Sequence, residues 1–302
     1  MMMKQPKAFA NLNKAQGQRS ALWLGIIASF VVLLSYIFPS HAQTSLSKGQ
    51  QQIQYDVYAG GIHALQANLN ISVRDDARYD VDLTAKTYGL LGRLAPWSGK
   101  FESHGWHDTI FKPELHQATT TWRDSDEIKK YNYNKDGSFN SYSVQKNNKD
   151  KSPKQVDSKL TENTSDMLTA TLNTMQQIAA TGKCEGVSEV FDGKRRFKLI
   201  FKEIGQVTLE ASRLNVYSGP AVECSVEVEP IVGKWHEKPR GWMSIQEQGR
   251  AQGALPTVWF AKVKEGELAV PVKVRVKTSY GTLFMQMTKY QALDKTLPVK
   301  KK

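Results

Sequence analysis

From Leu65 to Val73 the chain alternates without a break: Leu65, Ala67, Leu69, Ile71 and Val73 fall on one side, and Gln66, Asn68, Asn70 and Ser72 on the other. Successive side chains of a pleated chain point to opposite faces, so a repeat of two marks a half-buried β-strand. The pattern is not local. QIQYDVYAGG before it and YDVDLTAKTYG after it are extended segments, divided from it by turns at Gly60-Gly61 and Asp75-Asp76. WSGKFESHGWHD, the region around Thr119–Arg123, KKYNYN and SYSVQ continue the series between turn residues. Further on, VSEVF and KRRFKLIF flank Asp192-Gly193, a strong short-range hairpin signal. QVTLEASRL, AVECSVEVEPIVG, GWMSIQ, TVWFAKV, AVPVKVRVKTS and GTLFMQMTKYQ bring the expected strands to about a dozen. Val270, Val272, Val274 and Val276 share a face opposite Lys273, Arg275 and Lys277. Pro271 falls on the polar face, which predicts an edge strand or a barrel rim.

Helical spacing is rare. Leu90–Leu94, with Pro96 behind it, reads as one helical turn. Thr164–Thr181 is the one convincing helix: Leu168, Leu172, Met175 and Ala179 form a stripe that Met167, Thr171 and Ile178 widen. Thr164 or Ser165 would cap its start, Asp166 would complement the dipole, and Gly182 would stop it. Such a stripe either lines a ligand cavity or packs on a sheet, and packing is the commoner use. Lys146–Asn163 is polar and reads as a loop, either mobile over an opening or simply solvated. Strands without βαβ alternation predict a mostly β fold, a curled antiparallel sheet or an open or closed β-barrel-like domain, with one packed α-helix. No linker or repeat divides residues 43–295, so one domain is expected there, followed by a basic disordered tail at 296–302 ending in Lys300-Lys301-Lys302.

The N-terminus predicts the compartment. Lys4, Lys7, Lys14 and Arg19 precede an 18-residue apolar run, Ala21–Phe38, and Ser40-x-Ala42 places small residues where a signal peptidase reads. The run is also just long enough to span a bilayer. Residues 1–42 are therefore a signal peptide cleaved after Ala42 or an uncleaved N-terminal anchor, and the positive-inside bias sends the rest outward in either case. The expected location is the periplasm, with inner-membrane attachment if the segment is kept.

Forty-one Lys and Arg against 29 Asp and Glu give a net charge of +12, and the four N-terminal cations account for a third of it. The remaining basic residues are scattered rather than blocked, so the charge reads first as solubility, with anionic lipid or lipopolysaccharide as possible partners. Nucleic acid is not an expected partner without a basic, aromatic-rich motif. A monomer is the default expectation. Cys184 and Cys224 are the only cysteines, and in an oxidising compartment two such residues in strand-like surroundings pair. Neither lies in a C-x-x-C motif or beside a helix start that would make it reactive.

The pattern Pro256-x-x-Trp259, Pro271-x-x-Val274 and Tyr280-Gly281-Thr282 resembles that of a family of exported bacterial proteins, the domain-of-unknown-function 3108 family. Tyr55–Gly61, Phe101–Gly105, the Asp166-x-Leu168 helix start, Asp192-Gly193-x-Arg195-Arg196 and the two cysteines are similar to it as well. The likeness runs from Gln50 to Ala292 and rests on turn and packing residues. It implies an exported β-rich protein of a Gram-negative-type envelope. By analogy of fold it implies a curled sheet around a helix, a type that includes carriers of lipids or lipoproteins.

Catalytic patterns are scarce: G-x-S-x-G, H-E-x-x-H and a P-loop are all missing from the sequence. His104, His107 and nearby His116 form the one histidine cluster. In a strand, residues three apart point to opposite faces, so His104 and His107 share an ion only if Gly105 makes a bulge. Arg123–Glu127 is acidic but lacks the glycine and terminal glutamate of a calcium loop. Asp80 and Asp82 share a strand face, where polar surface is the ordinary role. No cofactor, metal or catalytic residue is therefore expected. The expected function is a non-enzymatic envelope protein that binds an amphipathic component. Leu168, Leu172 and Met175 would enclose an acyl chain while Arg195, Arg196, Lys273 and Arg275 meet its anionic head. Trp235 and Trp242, flanking the turn HEKPRG, are the expected exposed aromatics. The alternatives are a scaffold contacting other envelope proteins, and a hydrolase using His104, His107 or Asp124.

Overall fold

The computed structural model describes residues 49–235, 242–278, 281–292 and 295–297. The expected signal peptide or anchor, the HEKPRG turn and residues 298–302 lie outside the described residues. Strands β1 (Gly49–Ala59), β2 (Ile62–Val73) and β3 (Arg78–Thr87) lead through helix α1 (Gly89–Leu94) to β4 (Trp97–His107) and β5 (Phe111–Trp122). Strands β6 (Ser125–Tyr133), β7 (Phe139–Lys146) and β8 (Lys149–Asp150) follow, then helices α2 (Ser158–Thr161) and α3 (Met167–Thr181). The second half holds β9 (Glu185–Phe191), β10 (Arg195–Leu209), β11 (Gly219–Gly233), helix α4 (Trp242–Ala251) and β12 (Thr257–Ala261). It ends with β13 (Val270–Thr278), β14 (Gly281–Ala292) and β15 (Lys295–Leu297).

All of these strands join one antiparallel sheet in the order β8-β7-β6-β5-β4-β3-β2-β1-β14-β13-β12-β11-β10-β9, with β15 on β14. The curled, mostly β architecture expected from the alternation is what the chain adopts. Gly60 and Gly61 turn β1 into β2 with φ of 56° and 86°, the left-handed pair that suits the twist of a two-residue hairpin. The inner face carries the alternating apolar set: Ile53, Tyr55, Leu69, Ile71, Tyr79, Val81, Val272, Met287 and Tyr290 are all buried. Helix α3 packs against this set with Ala170, Leu172, Met175 and Ile178 buried. Asn173 ties its flank to β5, accepting from Phe111 N at 2.8 Å and donating to Phe111 O at 3.0 Å.

The two ends of the sheet meet through side chains. Tyr131 and Tyr142, from β6 and β7, contact the ring of Phe191 on β9 at 5.9 and 5.7 Å, edge on. They form a second apolar cluster with Tyr133 and Val144, against which Phe139, Val156 and Leu160 pack. Ser165 adds a short parallel bridge to β9 opposite Val190. Cys184 and Cys224 are bonded, with Cα atoms 6.1 Å apart, and join the start of β9 to β11 across β10.

Several expectations are corrected. GWMSIQ is expected as a strand, but from Trp242 on it opens α4; six residues are too few to separate a repeat of two from a repeat of 3.6. Gln246 of that helix is buried because it clamps β11, donating to Val228 O at 3.1 Å and accepting from Val228 N at 2.6 Å. KRRFKLIF and QVTLEASRL share the single strand β10, which absorbs a register shift between Glu203 and Gly205 instead of breaking. β13 is not an edge strand, but its ladder with β14 begins only at Lys273, so Pro271 pairs with β12 alone and lies where the other side is open, beside a register shift between Trp259 and Phe260. Shifts of this kind are where a ladder tolerates a residue without N–H. In the β9–β10 hairpin the central residues are Gly193 and Lys194, because Asp192 N bonds Arg195 O at 3.1 Å. The Lys146–Asn163 segment is held down by β8, by α2 and by Val156 and Leu160, its few apolar anchors. Thr296 and Leu297, expected in the tail, belong to β15.

Candidate functional site

The cap of α3 is neither Thr164 nor Ser165 but Asp166, which is 1% exposed. Its Oδ1 accepts from Leu168 N at 2.9 Å and Thr169 N at 3.0 Å, which satisfies two of the free amides at a helix start. The same carboxylate reaches into the sheet. Ser103 Oγ of β4 donates to Oδ1 at 2.7 Å, and Thr169 Oγ1 donates to Oδ2 at 2.6 Å. Ser103 Oγ also lies 2.7 Å from Nδ1 of His116 on β5, and Tyr79 Oη lies 2.7 Å from Thr169 Oγ1. Ser103 and His116 face each other across the β4–β5 ladder, so register alone places both on the inner face below the helix start.

A buried serine, histidine and aspartate invite comparison with a nucleophilic triad, but the connections differ. In a triad the carboxylate orients the imidazole, whose far nitrogen takes the serine proton. Here Ser103 gives its only proton to Asp166. The 2.7 Å contact to His116 is then a hydrogen bond only if Nδ1 carries the hydrogen; the same Nδ1 lies 3.4 Å from Asp166 Oδ1, so serine and carboxylate both face one ring nitrogen instead of opposite ones. Ser103 is thus held, not activated, and at 1% exposure it meets no substrate. The arrangement clamps the helix to the sheet.

Burial holds the His116 imidazole below its ordinary range against the opposing pull of Asp166, and so favours the neutral ring. A histidine whose folded value is depressed contributes stability that is complete above the unfolded value, about 6.5, and is lost as pH falls through the folded value. His107, lowered by burial and opposed by its bond to Gln176, acts in the same direction. Melting temperature should therefore fall as pH is lowered from 7.5 to 5. A His116→Asn variant should start lower and fall less steeply. Parallel curves for the two proteins would show that His116 does not titrate in this way.

The other expected site residues scatter. Leu172 and Met175 are 1% exposed within the core, and Leu168 is half-buried against it. Arg195 pairs with Asp192 at 2.5 Å and lies 4.7 Å over the Trp235 ring. Arg196 pairs with Glu189 at 2.5 Å and donates to Lys159 O at 3.0 Å. Lys273 and Arg275 flank the ring of buried Trp259 at 4.8 and 5.0 Å, and Arg275 faces Glu223 at 3.4 Å. The two basic pairs lie on β10 and β13, separated by β11 and β12. Trp235, expected to be exposed, packs edge on against Phe197 at 6.2 Å and is half-buried, while the side chain of Trp242 lies outside the described residues.

The three histidines do not converge. The register shift beside Gly105 adds its extra residue, Glu114, to β5, so β4 keeps its alternation. His104 stays on the outer face, 4.0 Å from Glu114, and His107 turns inward to Gln176 at 3.1 Å. Asp124 is exposed on the β5–β6 turn. Asp80 and Asp82 do share the outer face, in a shallow depression with Glu102 and His104. Their charges are answered there by Arg74 at 3.3 Å from Asp80 and by Lys100 at 3.9 Å from Asp82. Ser103 was the residue sequence reasoning missed. Its signal was a hydroxyl at an inward position of a strand, between Phe101 and Gly105.

These features define a class: an antiparallel, barrel-like sheet curled around a capped helix and stapled by one disulfide. The chain belongs to the family described as "Protein of unknown function (DUF3108)", whose model matches residues 54–288. Among solved structures it is similar to a β-barrel-like protein of domain of unknown function DUF1849 from Brucella abortus. That likeness is at 10% identity and a TM-score of 0.46, over 83% of this chain and 100% of that one. No curated protein matches the sequence.

Proposed function

We propose that the chain is an exported, non-catalytic domain of the bacterial envelope that works by presenting its surface to envelope components rather than by enclosing a ligand. The observation that carries this reading is the filled inner face: α3 occupies it, with Leu172 and Met175 at 1% exposure where an acyl chain would have to lie. Export is supported by the basic, apolar and small-residue order of residues 1–42 and by the Cys184–Cys224 bond. The buried Ser103–His116–Asp166 set has the geometry of a clamp, and His104, His107 and Asp124 do not meet.

Fractionation and native mass spectrometry of the protein from a Gram-negative host test the reading. The expected result is a periplasmic or membrane-attached protein that carries the mass deficit of one disulfide and no lipid-sized adduct. An adduct that organic extraction removes would overturn the filled interior in favour of a carrier, and a reduced, cytoplasmic protein would overturn export.

A further inference from the structure

Helix α1 is GLLGRL, and none of its residues is buried. Short helices ordinarily persist by burying an apolar face. Here Leu90 and Leu94 are 65% and 64% exposed, and the conformation is held from behind. Tyr88 N bonds Ala64 O at 2.9 Å, and Ala95 N bonds Leu91 O at 2.9 Å. Thr87 Oγ1 donates to Ala95 O at 3.2 Å and accepts from Trp97 N at 3.0 Å. The leucines are thus presented on a fixed support.

The sheet places more apolar side chains at the same end. Ile62 opens β2, which is paired with β3, whose end leads into Tyr88; Trp97 opens β4 opposite Trp122, which closes β5. Ile62 is 61% exposed, Trp122 51% and Tyr88 41%. Arg123 N bonds Pro96 O at 3.0 Å, tying the β5–β6 turn to α1. Isolated exposed apolar residues are ordinary, but a contiguous set on one rim marks an interaction surface.

Charge decides the partner. Residues 57–74 and 83–101, which build most of this rim, contain no aspartate or glutamate. Lys86, Arg93 and Arg123 are exposed there; acid borders the patch at Asp124 and Asp126 beyond Trp122, and at half-buried Asp56, which is paired with His63 at 3.2 Å behind the Tyr88 ring. A second copy would oppose cations to cations. An anionic bilayer surface offers what the rim lacks: headgroups for Arg93, Lys86 and Arg123, and an acyl boundary for leucine, tyrosine and tryptophan, the residues of membrane interfaces. Among the described residues no helix is long and apolar enough to cross a membrane, so the helical contact is a resting one.

We infer that the rim formed by Ile62, Tyr88, Leu90, Leu94 and Trp122 docks this domain on an anionic lipid surface, with Arg93 and its basic neighbours at the headgroups. The inference takes only the compartment from the proposed function. The test is co-sedimentation of the protein as its host exports it, with phosphatidylglycerol-containing and pure phosphatidylcholine vesicles, alongside hydrogen exchange of residues 88–97. Binding should favour the anionic vesicles, weaken with salt, and protect 88–97. Leu90→Glu/Leu94→Glu should reduce it at least about tenfold, and Arg93→Glu by about fivefold or more. Where residues 1–42 are cleaved, co-sedimentation compares the rims directly; where they are kept and anchor every variant, protection of residues 88–97 in the native protein against the double variant is the deciding readout. The substituted side chains are exposed, and unchanged melting temperatures confirm folding.

Equal binding by the cleaved double variant, equal protection of 88–97 in an anchored one, or protection confined to another region, would overturn the inference. So would a concentration-dependent dimer that the double variant abolishes, since the rim would then belong to a second copy. A cytoplasmic location in the host would refute export while leaving vesicle binding to be read on its own.

Discussion

Replacing Asp166 with alanine should lower the unfolding free energy by about 5 kcal/mol, as measured by denaturant titration. One carboxylate performs several tasks, and alanine performs none. The helix loses its cap, worth about 1–2 kcal/mol. Ser103 Oγ and Thr169 Oγ1, bonded to the carboxylate at 2.7 and 2.6 Å, must turn to His116 Nδ1 and Tyr79 Oη, which forces the other imidazole tautomer and takes the acceptor that the phenol used; each bond so lost inside the protein costs about 1–3 kcal/mol. Asp166→Asn separates the tasks: its one side-chain oxygen restores the cap and about half the loss, but its amide cannot accept from the second hydroxyl. A loss below about 1.5 kcal/mol in the alanine variant would reduce Asp166 to an ordinary cap and remove the clamp.

Gly105→Ala should be as damaging or worse. Gly105 lies opposite Pro113 where β5 carries its extra residue, and the two backbones approach closely there. A β-carbon at Gly105 would overlap the carbonyl oxygen of Lys112 and come within 2.9 Å of Glu114 N and Pro113 Cα. These are backbone atoms, which cannot rotate away as a flexible side chain would. Relief requires β4 to part from β5, the pair that holds Ser103 against His116. The expected outcome is a loss of more than about 4 kcal/mol or failure to accumulate folded protein, among the largest effects of a single substitution. Gly61→Ala is the control, for nothing lies within 4 Å of its β-carbon; its φ of 86° alone should cost it about 1 kcal/mol. Equal melting temperatures for Gly105→Ala and the native protein would refute the close approach.

The strands were legible because their chemistry repeats every two residues. Leu65–Val73 and Val270–Val276 are legible from alternation, and the helix expected at Thr164–Thr181 from its stripe, its observed start lying at Met167. What failed was local and short. GWMSIQ has too few residues to declare a period, and the helix it opens depends on Gln246 finding the backbone of Val228 across the fold. Ser103 and Asp166 are 63 positions apart, and no spacing rule links a strand hydroxyl to a distant helix cap. The basic residues misled for a related reason. Arg195 and Arg196 look available in sequence, yet Asp192 and Glu189, three and seven positions away, claim them. Trp235, expected to be exposed, is half-buried against Phe197, whereas Trp122 at the end of β5 is 51% exposed; alternation does not tell which end of a strand meets a neighbour.

The ladder also has a temporal side. Strands β1 to β8 follow one another in space as in sequence, so their pairings form as soon as each hairpin exists. Strand β1, however, takes its other partner from the far end of the chain: Gln52 lies opposite Gln291, and Ile53 opposite Tyr290. Nearly the whole polypeptide must be available before that seam can close, and one hydrogen-bonding edge of β1 stays open until then. Such a chain cannot complete its native sheet while any substantial part of its C-terminal half is still being made or threaded through a channel. Its order of assembly is written into one pair of strands.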